Sequence, residues 1–288
     1  MTTAVIGATG RVGSEIVRGV LARGDAVAAL VRDPGKARRT FGEPDGLHIR
    51  RTRLDDPRDL IEALDGIRTV FIAMGSVGIE GVLQRIVINT AAGIASIKQV
   101  TRLSVLNTSA DSRGINQRAH YSIDQFASST AVPYSTIRPA IFSASLLAAA
   151  HEVRASRTWT GLADSGRMAL IDHRDAAEAG WRVLTEPALW GAHHDLTGPV
   201  PLSWPEALEL LSAELGEPVT FRVAAERQFL ERLTGAGVPA GTAELLITRE
   251  WAILAGENDY TTDSFQQITG RSPRPLAEFL HEHRAEFA

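Results

Sequence analysis

The chain contains no cysteine among its 288 residues. This absence excludes disulfide bonds, thiolate metal sites and thiol catalysis. Lysine is also scarce, because Lys36 and Lys98 are the only two lysines and arginine supplies nearly all of the positive charge. The formal net charge of −4 provides no excess of basic residues for a nucleic-acid surface. We therefore expect no nucleic-acid partner.

Long hydrophobic runs are missing as well. The most apolar stretch, residues 82–97, is interrupted by Gln84, Arg85 and Asn89, which favours a buried helix over a membrane span. The first predicted strand begins at residue 3 and leaves no room for a secretory signal. We expect a cytoplasmic protein without membrane contact. We also expect no metal, because the pairs His193-His194 and His281-x-His283 lack a third ligand in view.

Three glycines follow the first predicted strand, residues 3–6, at intervals of three residues. Gly7 permits a sharp turn, Gly10 permits close approach of a pyrophosphate, and Gly13 permits the next helix to pack tightly on the strand. Phosphates bind at the positive N-terminal end of such a helix. The spacing and the context predict a dinucleotide-binding loop formed by Gly7, Thr9, Gly10, Arg11 and Val12.

Cations surround the end of the second predicted strand, residues 26–31. Arg32 follows this strand directly, and Lys36 comes about one turn later. An acidic residue here would bind the ribose 2′-hydroxyl of NAD, whereas a nearby arginine suits the 2′-phosphate of NADP. Arg11 is a further guanidinium directed at the same region, and guanidinium groups bind phosphate bidentately. We predict NADP(H) as the cofactor, with Asp33 as a ribose ligand if the chain shifts slightly.

Apolar runs alternate with helical patterns as far as residue 140. The valine- and isoleucine-rich strands, separated by helices, indicate an α/β protein with a doubly wound parallel sheet of the Rossmann type. We predict a Rossmann domain over residues 1–150 and a smaller helix-rich substrate lobe over 151–288, with some strands returning to the main sheet. Strands are predicted at 3–6, 26–31, 47–51, 69–73, 100–105, 134–138 and 194–199, and helices at 11–23, 57–65, 79–96, 117–129, 204–215 and most of 225–286, with one more opening at 170–175.

Four segments together resemble the NmrA-like family of atypical short-chain dehydrogenase/reductases. The glycine spacing is shared across that superfamily, whereas the middle and C-terminal segments are more specific. The resemblance implies an NAD(P)H-dependent reductase, a tailoring enzyme of secondary metabolism, or a dinucleotide-binding redox sensor. The segments are Gly7–Gly13, Val31–Pro34, His120 and Asp124 followed by Tyr134–Phe142, and Ile268–Phe279.

The resemblance also implies contacts with the cofactor beyond the glycine loop. Ala73, Met74 and Gly75 end the fourth strand, where such folds lay the chain along the cofactor's ribose. Pro139 and Phe142 end the sixth strand, where such folds border the nicotinamide.

The expected catalytic motif is incomplete in this chain. Much of the superfamily uses a Tyr-x-x-x-Lys pair, in which the lysine lowers the pKa of the tyrosine. Here Tyr121 is followed by Gln125, which carries no charge. The alternative register places His120 and Asp124 one helical turn apart, so that a histidine titrating near neutrality donates a proton while Asp124 orients it. Ser104 ends the fifth strand, where the superfamily often places a hydroxyl for the substrate carbonyl.

These residues predict an NADPH-dependent oxidoreductase acting on a quinoid, aromatic or enone small molecule. Quinones need little acid catalysis, which fits a site without a tyrosine-lysine pair. A non-catalytic NADP(H)-sensing regulator and a tailoring enzyme that couples or isomerises aromatic substrates remain open. We expect a monomer or homodimer. Apolar side chains for the substrate ring are expected from Trp159, Met168, Phe229, Trp251 and Tyr260.

Overall fold

The computed structural model describes residues 2–288, which form a seven-stranded parallel sheet covered by helices on both faces. The strands of this sheet follow the order β3-β2-β1-β4-β5-β6-β8, and β7 and β9 form a separate parallel pair. The strands are β1 Thr3–Ile6, β2 Val27–Val31, β3 Leu47–Arg51, β4 Thr69–Ile72, β5 Gln99–Leu103, β6 Tyr134–Pro139, β7 Thr158–Gly161, β8 His193–Leu196 and β9 Thr220–Val223.

The helices connect successive strands and pack on alternate faces of the sheet. One face holds the core between the sheet and α1 and α7, and the other holds the core beneath α3, α4 and α5. The helices are α1 Arg11–Ala22, α2 Pro34–Phe41, α3 Pro57–Ala63, α4 Ile79–Ala92, α5 Ile115–Ser128, α6 Ala150–Ser156, α7 His173–Thr185, α8 Trp204–Leu215, α9 Glu226–Gly235, α10 Ala240–Leu254, α11 Ser264–Thr269, α12 Leu276–Glu282 and α13 Arg284–Phe287.

The central strands are apolar because both of their faces are covered. Every residue of β1, β2 and β4 is buried. The strand order reverses between β1 and β4, whose registers pair Thr3 with Thr69 and Ile6 with Ile72. Ligands of open α/β sheets bind beyond the carboxyl ends of strands at such a reversal. The topology therefore puts a binding crevice above Ile6 and Ile72.

The C-terminal part of the chain builds its own core and also returns to the main sheet. The indole rings of Trp159 and Trp204 pack edge to face, with centroids 4.8 Å apart, at the centre of this core. Asp175 on α7 is fully buried, and it accepts hydrogen bonds from Arg271 Nη2 at 2.7 Å and from the backbone N–H of Arg274 at 2.7 Å. The C-terminal segment that resembles the family is therefore bonded to a helix of the Rossmann layer.

The predicted doubly wound α/β fold with a helix-rich C-terminal part is confirmed. Several boundaries differ from the prediction. The largest differences are at the helix predicted to reach residue 96, which ends at Ala92 with Gly93 as its C-cap, the strand predicted over 194–199, which is β8 His193–Leu196, and the strand predicted to reach residue 105, which ends at Leu103. Helix α2 and the short strands β7 and β9 were not predicted. The division at residue 150 stays a prediction, since α7 and β8 return to the main sheet. Across residues 2–288 we find no helix that is both long and apolar enough to cross a membrane.

Candidate active site

The glycine loop between β1 and α1 is shaped by backbone packing. Gly7 has a φ of +76°, and a Cβ added there would lie 2.0 Å from the carbonyl oxygen of Ala73. A Cβ on Gly13 would lie 2.2 Å from the carbonyl oxygen of Gly7. These two glycines hold the loop against the end of β4 and bring α1 close to it, as the spacing predicts.

The N-terminus of α1 is open to an anion. Gly10 is its N-cap, with a φ of −82° and no side-chain cap. This φ suits any residue, although a Cβ added there would lie 3.2 Å from the Gly7 carbonyl oxygen. The backbone conformation therefore does not require glycine at position 10, whereas close approach of a ligand would. The N–H groups of the first turn, at Arg11, Val12 and Gly13, point out of the helix end, where the helix dipole favours phosphate. The loop therefore fits a pyrophosphate.

Exposed cations lie at the next strand end. Arg32 follows β2, is exposed, and forms no ion pair with any of residues 2–288. Asp33 is the N-cap of α2, and its carboxylate accepts a hydrogen bond from the Lys36 backbone N–H at 3.0 Å. That hydrogen bond lowers the pKa of Asp33. Because this carboxylate caps a helix, the arrangement favours a 2′-phosphate beside Arg32 and Lys36 over a ribose hydroxyl held by Asp33.

A cleft of about 330 Å³ opens at the carboxyl ends of β4, β5 and β6. It brings together the predicted residues Met74, Ser104, His120, Pro139 and Phe142. The glycine loop and Arg32 lie farther along the same edge of the sheet. The cofactor-binding residues and the cleft thus share one edge, although the contacts of individual residues with a cofactor stay predictions.

The far wall of the cleft comes from the C-terminal half of the chain. Leu245, Leu246 and Arg249 of α10 line it, followed by Asn258. Asn258 is 2% exposed, and its Nδ2 atom has no acceptor among residues 2–288. The segment around it is fixed, because the Glu257 carboxylate accepts hydrogen bonds from Ser112 Oγ at 2.5 Å and from the Arg113 N–H at 2.8 Å. The wall therefore combines two leucine side chains with a guanidinium and a buried amide.

A fully buried arginine lies behind the cleft. Arg102, on β5, donates from Nε to the Tyr134 hydroxyl at 2.8 Å and from Nη1 to Gln84 Oε1 at 3.3 Å. Nη1 also lies 2.7 Å from His120 Nδ1, and Nη2 lies 3.2 Å from the His120 carbonyl oxygen. Nη2 further donates to Ser104 Oγ at 2.9 Å. The guanidinium is therefore fixed on all sides.

Asp124 neutralises this buried charge. Its carboxylate, on α5, forms an ion pair with Arg102 and accepts hydrogen bonds from the Tyr134 hydroxyl at 2.7 Å and from Ser104 Oγ at 3.1 Å. Arg138 approaches it at 3.3 Å. A buried charge is tolerated when it is paired and fully hydrogen-bonded, and both conditions hold for Arg102 and Asp124.

Burial and the Arg102 charge determine the protonation of the neighbouring groups. Burial first, and then the Arg102 charge, hold the pKa of His120 well below its usual value of 6.5. Burial raises the pKa of Tyr134 well above its usual value. Both side chains are therefore uncharged at neutral pH.

These contacts correct the predicted roles of His120 and Asp124. The prediction that Asp124 orients the His120 ring is wrong, because Arg102 lies between them and binds both. The prediction that His120 titrates near neutrality is also wrong, because the ring is buried beside a cation. Ser104 directs its only O–H at Asp124, so that proton is unavailable to a substrate carbonyl. Tyr121 is half-buried on α5 and does not contribute to the cleft lining within residues 2–288.

The aromatic side chains expected around the substrate lie elsewhere. Trp159, Met168 and Phe229 are buried in the C-terminal lobe, and neither Trp251 nor Tyr260 lines this cleft within the part of the chain that the structure describes. Apolar contact is supplied instead by Ile141, Phe142 and the leucines of α10.

The paired histidines of β8 are engaged separately. His193 Nδ1 lies 2.8 Å from Thr136 Oγ1, and His194 Nε2 lies 3.1 Å from the Leu189 carbonyl oxygen. No group of three or more His, Asp or Glu side chains within residues 2–288 is placed to hold a metal ion.

Sequence reasoning missed Arg102, Asn258 and the whole α10 wall. A signal for Arg102 was present, because a charged residue inside the apolar stretch Val100–Val105 of a covered parallel strand must be paired. No comparable signal marked α10, which contacts the cleft from more than a hundred residues farther along the chain.

Similar proteins share this architecture. Residues 1–279 match the NmrA-like family. The chain is 31% identical over 286 residues to an NAD(P)H azoreductase of Xenophilus azovorans, and the match covers 98% of both chains.

Solved structures of similar proteins have the same fold. The NADPH-dependent quinone oxidoreductase of Escherichia coli, in complex with NADPH, superposes with a TM-score of 0.90 and 25% identity over 97% of this chain and 99% of that one. The triphenylmethane reductase of Citrobacter sp., complexed with NADP(H), shares the fold with a TM-score of 0.88 and 24% identity, over 97% of this chain and 99% of that one. From the match over residues 1–279 and the full-length similarity to the azoreductase, we conclude that this chain belongs to the NmrA-like family.

Proposed function

We propose that this protein is an NADPH-dependent reductase that delivers hydride to an aromatic, quinoid or enone small molecule. The observation that carries the proposal is the shared edge of the sheet. Exposed Arg32 and Lys36, which form no ion pair with any of residues 2–288, lie beyond β2, the glycine loop with its open helix end lies beyond β1, and a largely apolar cleft lies beyond β4 to β6. This order matches the order of groups along a dinucleotide, from its 2′-phosphate to its nicotinamide.

The residues present fit the cofactor. The N-terminus of α1, with Gly10, Arg11 and Val12, would hold the pyrophosphate, and Arg32 with Lys36 would hold the 2′-phosphate. Ala73 to Gly75 would lie along the ribose, and Pro139 with Phe142 would border the nicotinamide. When bound, NADPH supplies the hydride.

The cleft supports a conjugated acceptor. Leucine side chains of α10 and Phe142 offer apolar contact to a ring, and the tyrosine-lysine pair of ordinary carbonyl reductases is replaced by Tyr121 and Gln125. A quinone tolerates this loss because its own ring stabilises the anion formed on reduction. The names of the three similar proteins, which reduce azo compounds, quinones and triphenylmethane dyes, support the same class of acceptor.

The wider setting follows from this proposal. The cleft wall formed by α10 supports assigning residues 1–150 to the cofactor and residues 151–288 to the substrate. We place the enzyme in the cytoplasm, as a monomer or homodimer. The net charge of −4 supports a small-molecule substrate over nucleic acid.

The test is NADPH oxidation measured with a para-quinone, an azo dye, a triphenylmethane dye and an enone. Turnover of at least one acceptor above the substrate-free rate is expected. Calorimetric binding of NADPH without turnover of any of the four would overturn the proposal and favour an NADP(H)-sensing regulator.

A further inference from the structure

Among the four predicted catalytic residues, only His120 keeps an unused donor at the cleft. Its ring Nδ1 lies 2.7 Å from Arg102 Nη1. A guanidinium only donates hydrogen bonds and does not lose its proton in proteins. Nδ1 must therefore be the acceptor, so it carries no proton. A neutral imidazole then carries its single proton on Nε2.

The contacts of Arg102 keep its guanidinium beside Nδ1 and so hold this tautomer in place. Its side chain is fully buried, and its nitrogens are also bonded to Tyr134, Ser104 and Asp124. The guanidinium cannot turn away to release Nδ1 without breaking these bonds. Nη2 also binds the His120 carbonyl oxygen at 3.2 Å, which fixes the backbone of the histidine.

We infer that Arg102 is a positioning residue that locks His120 as the uncharged Nε2–H tautomer, and that this N–H is a fixed hydrogen-bond donor to the oxygen of the substrate. The inference rests on the proposed function, because it assumes an acceptor with a carbonyl or quinone oxygen. His120 lines the cleft, and no group within residues 2–288 accepts a hydrogen bond from Nε2.

The chemistry balances without proton transfer from His120. When hydride adds to the conjugated acceptor, an electron pair moves onto the acceptor oxygen. The Nε2–H bond stabilises this oxyanion, as a preorganised donor does in an oxyanion hole. The oxyanion then takes a proton from water, which leaves the reduced substrate, NADP⁺ and a hydroxide that the solvent neutralises.

Protonation of His120 is opposed from its surroundings. A second ring proton would point Nδ1–H at the donating face of Arg102, and burial disfavours the added charge. Asp124 lies one turn along the same helix, but its oxygens are directed to Arg102, Ser104, Tyr134 and Arg138. The charged and titratable groups on the elements packed around the ring are Arg102 on β5, Arg118, Tyr121 and Asp124 on α5, Tyr134 and Arg138 on β6, Glu80 and Arg85 on α4, and Glu244 with the paired Arg249 and Glu250 on α10.

Nitrogen NMR of the histidine side chains tests the tautomer directly. We expect one histidine, assigned by its loss in His120→Gln, to show an unprotonated Nδ1 and a protonated Nε2 that stay unchanged from about pH 8 to pH 5.5. An Nδ1–H tautomer, or titration within that range, would overturn the inference. This measurement needs no substrate, so it gives an answer even if no acceptor is reduced.

Kinetics test the donor role. Glutamine places an amide N–H near the position of Nε2 and does not titrate, whereas leucine offers no donor. We expect His120→Leu to lower kcat by ~100-fold, whereas His120→Gln should keep most of the wild-type kcat. NADPH affinity should be unchanged in both variants. We also expect the pH profile of kcat to be the same in wild type and His120→Gln.

Two outcomes would contradict the donor role. Wild-type activity in a folded His120→Leu would show that no donor is needed there. An alkaline limb present in wild type and absent from His120→Gln would show that a charged imidazole transfers a proton. If His120→Leu fails to fold, the tautomer measurement and the pH profile of His120→Gln still decide the question.

Discussion

Replacing His120 by glutamine is expected to make the protein less sensitive to acid. The native state holds the pKa of His120 well below 6.5, through burial and then through the Arg102 charge, whereas the unfolded chain restores a value near 6.5. Between these two values the unfolded chain binds more protons than the native state. The contribution to stability is therefore complete above pH 6.5 and declines as the pH falls toward the native pKa.

The size of the effect follows from this linkage. Each pH unit below the unfolded value lowers the free energy of unfolding by up to about 1.4 kcal/mol for one proton. At about pH 5 the loss reaches at most about 2 kcal/mol relative to pH 8, if the native ring remains neutral. That is a large fraction of the 5–15 kcal/mol typical of a folded domain, so it is measurable.

Urea unfolding of wild type and His120→Gln at a series of pH values measures the effect. The difference between the two curves matters, because the partly buried His173 and His194 and the more exposed His193 also have lowered pKa values and steepen both curves equally. Glutamine changes packing by a constant amount, whereas the linkage term grows as the pH falls. His48→Gln, which replaces an exposed histidine on β3, is the matched control and should follow wild type. Parallel curves for wild type and His120→Gln would refute the reasoning.

Two further predictions concern the cofactor edge. Arg32→Ala should weaken NADPH binding at least tenfold, about 1.4 kcal/mol, and leave NADH affinity nearly unchanged. Calorimetry with both cofactors checks this, and Arg227→Ala, which replaces an exposed arginine, is the control. An unaltered preference for NADPH over NADH would reject the 2′-phosphate assignment. Gly10→Val should fold, because its φ suits any residue and its Cβ would lie 3.2 Å from the Gly7 carbonyl oxygen, but it should lose NADPH affinity because the side chain fills the space for the pyrophosphate. Gly13→Val should lower the unfolding midpoint, because its Cβ would lie 2.2 Å from the same oxygen. A folded Gly10→Val that binds NADPH would show that the loop does not hold the phosphates.

The sequence predicted what depends on local pattern. Glycine spacing and apolar runs predicted the Rossmann fold, because strand burial and the turn at Gly7 are determined by nearby residues. The prediction that Asp124 orients the His120 ring was also based on a local pattern, and it was wrong. Helical spacing put them on one face, but Arg102 enters between them from β5, and no local pattern specifies which side chain of a neighbouring strand will do so.

Short or distant elements escaped prediction for related reasons. Strands β7 and β9, with the sequences TWTG and TFRV, lack the continuous apolar run that marks the equally short β1 and β4. They also pair with each other across some sixty residues of chain. The α10 wall depends on how the C-terminal lobe docks on the sheet. That docking involves individual hydrogen bonds, such as the one that the Ile115 N–H donates to Thr248 Oγ1 at 3.3 Å, and composition does not reveal them.

The two walls of the cleft come from separate stretches of the chain, and this separation affects how the substrate range of the enzyme can evolve. The cleft is lined by Met74, which follows Ala73 at the end of β4, and the Ala73 carbonyl oxygen packs against Gly7, so a substitution there disturbs cofactor and substrate together. The opposite wall, at Leu245, Leu246 and Asn258, belongs neither to the glycine loop nor to the segment that carries Arg32 and Lys36. We therefore expect substitutions in that wall to change the contacts with the acceptor while the hydride source is retained. The same separation gives a protein engineer a small set of positions for altering substrate range without rebuilding nucleotide recognition.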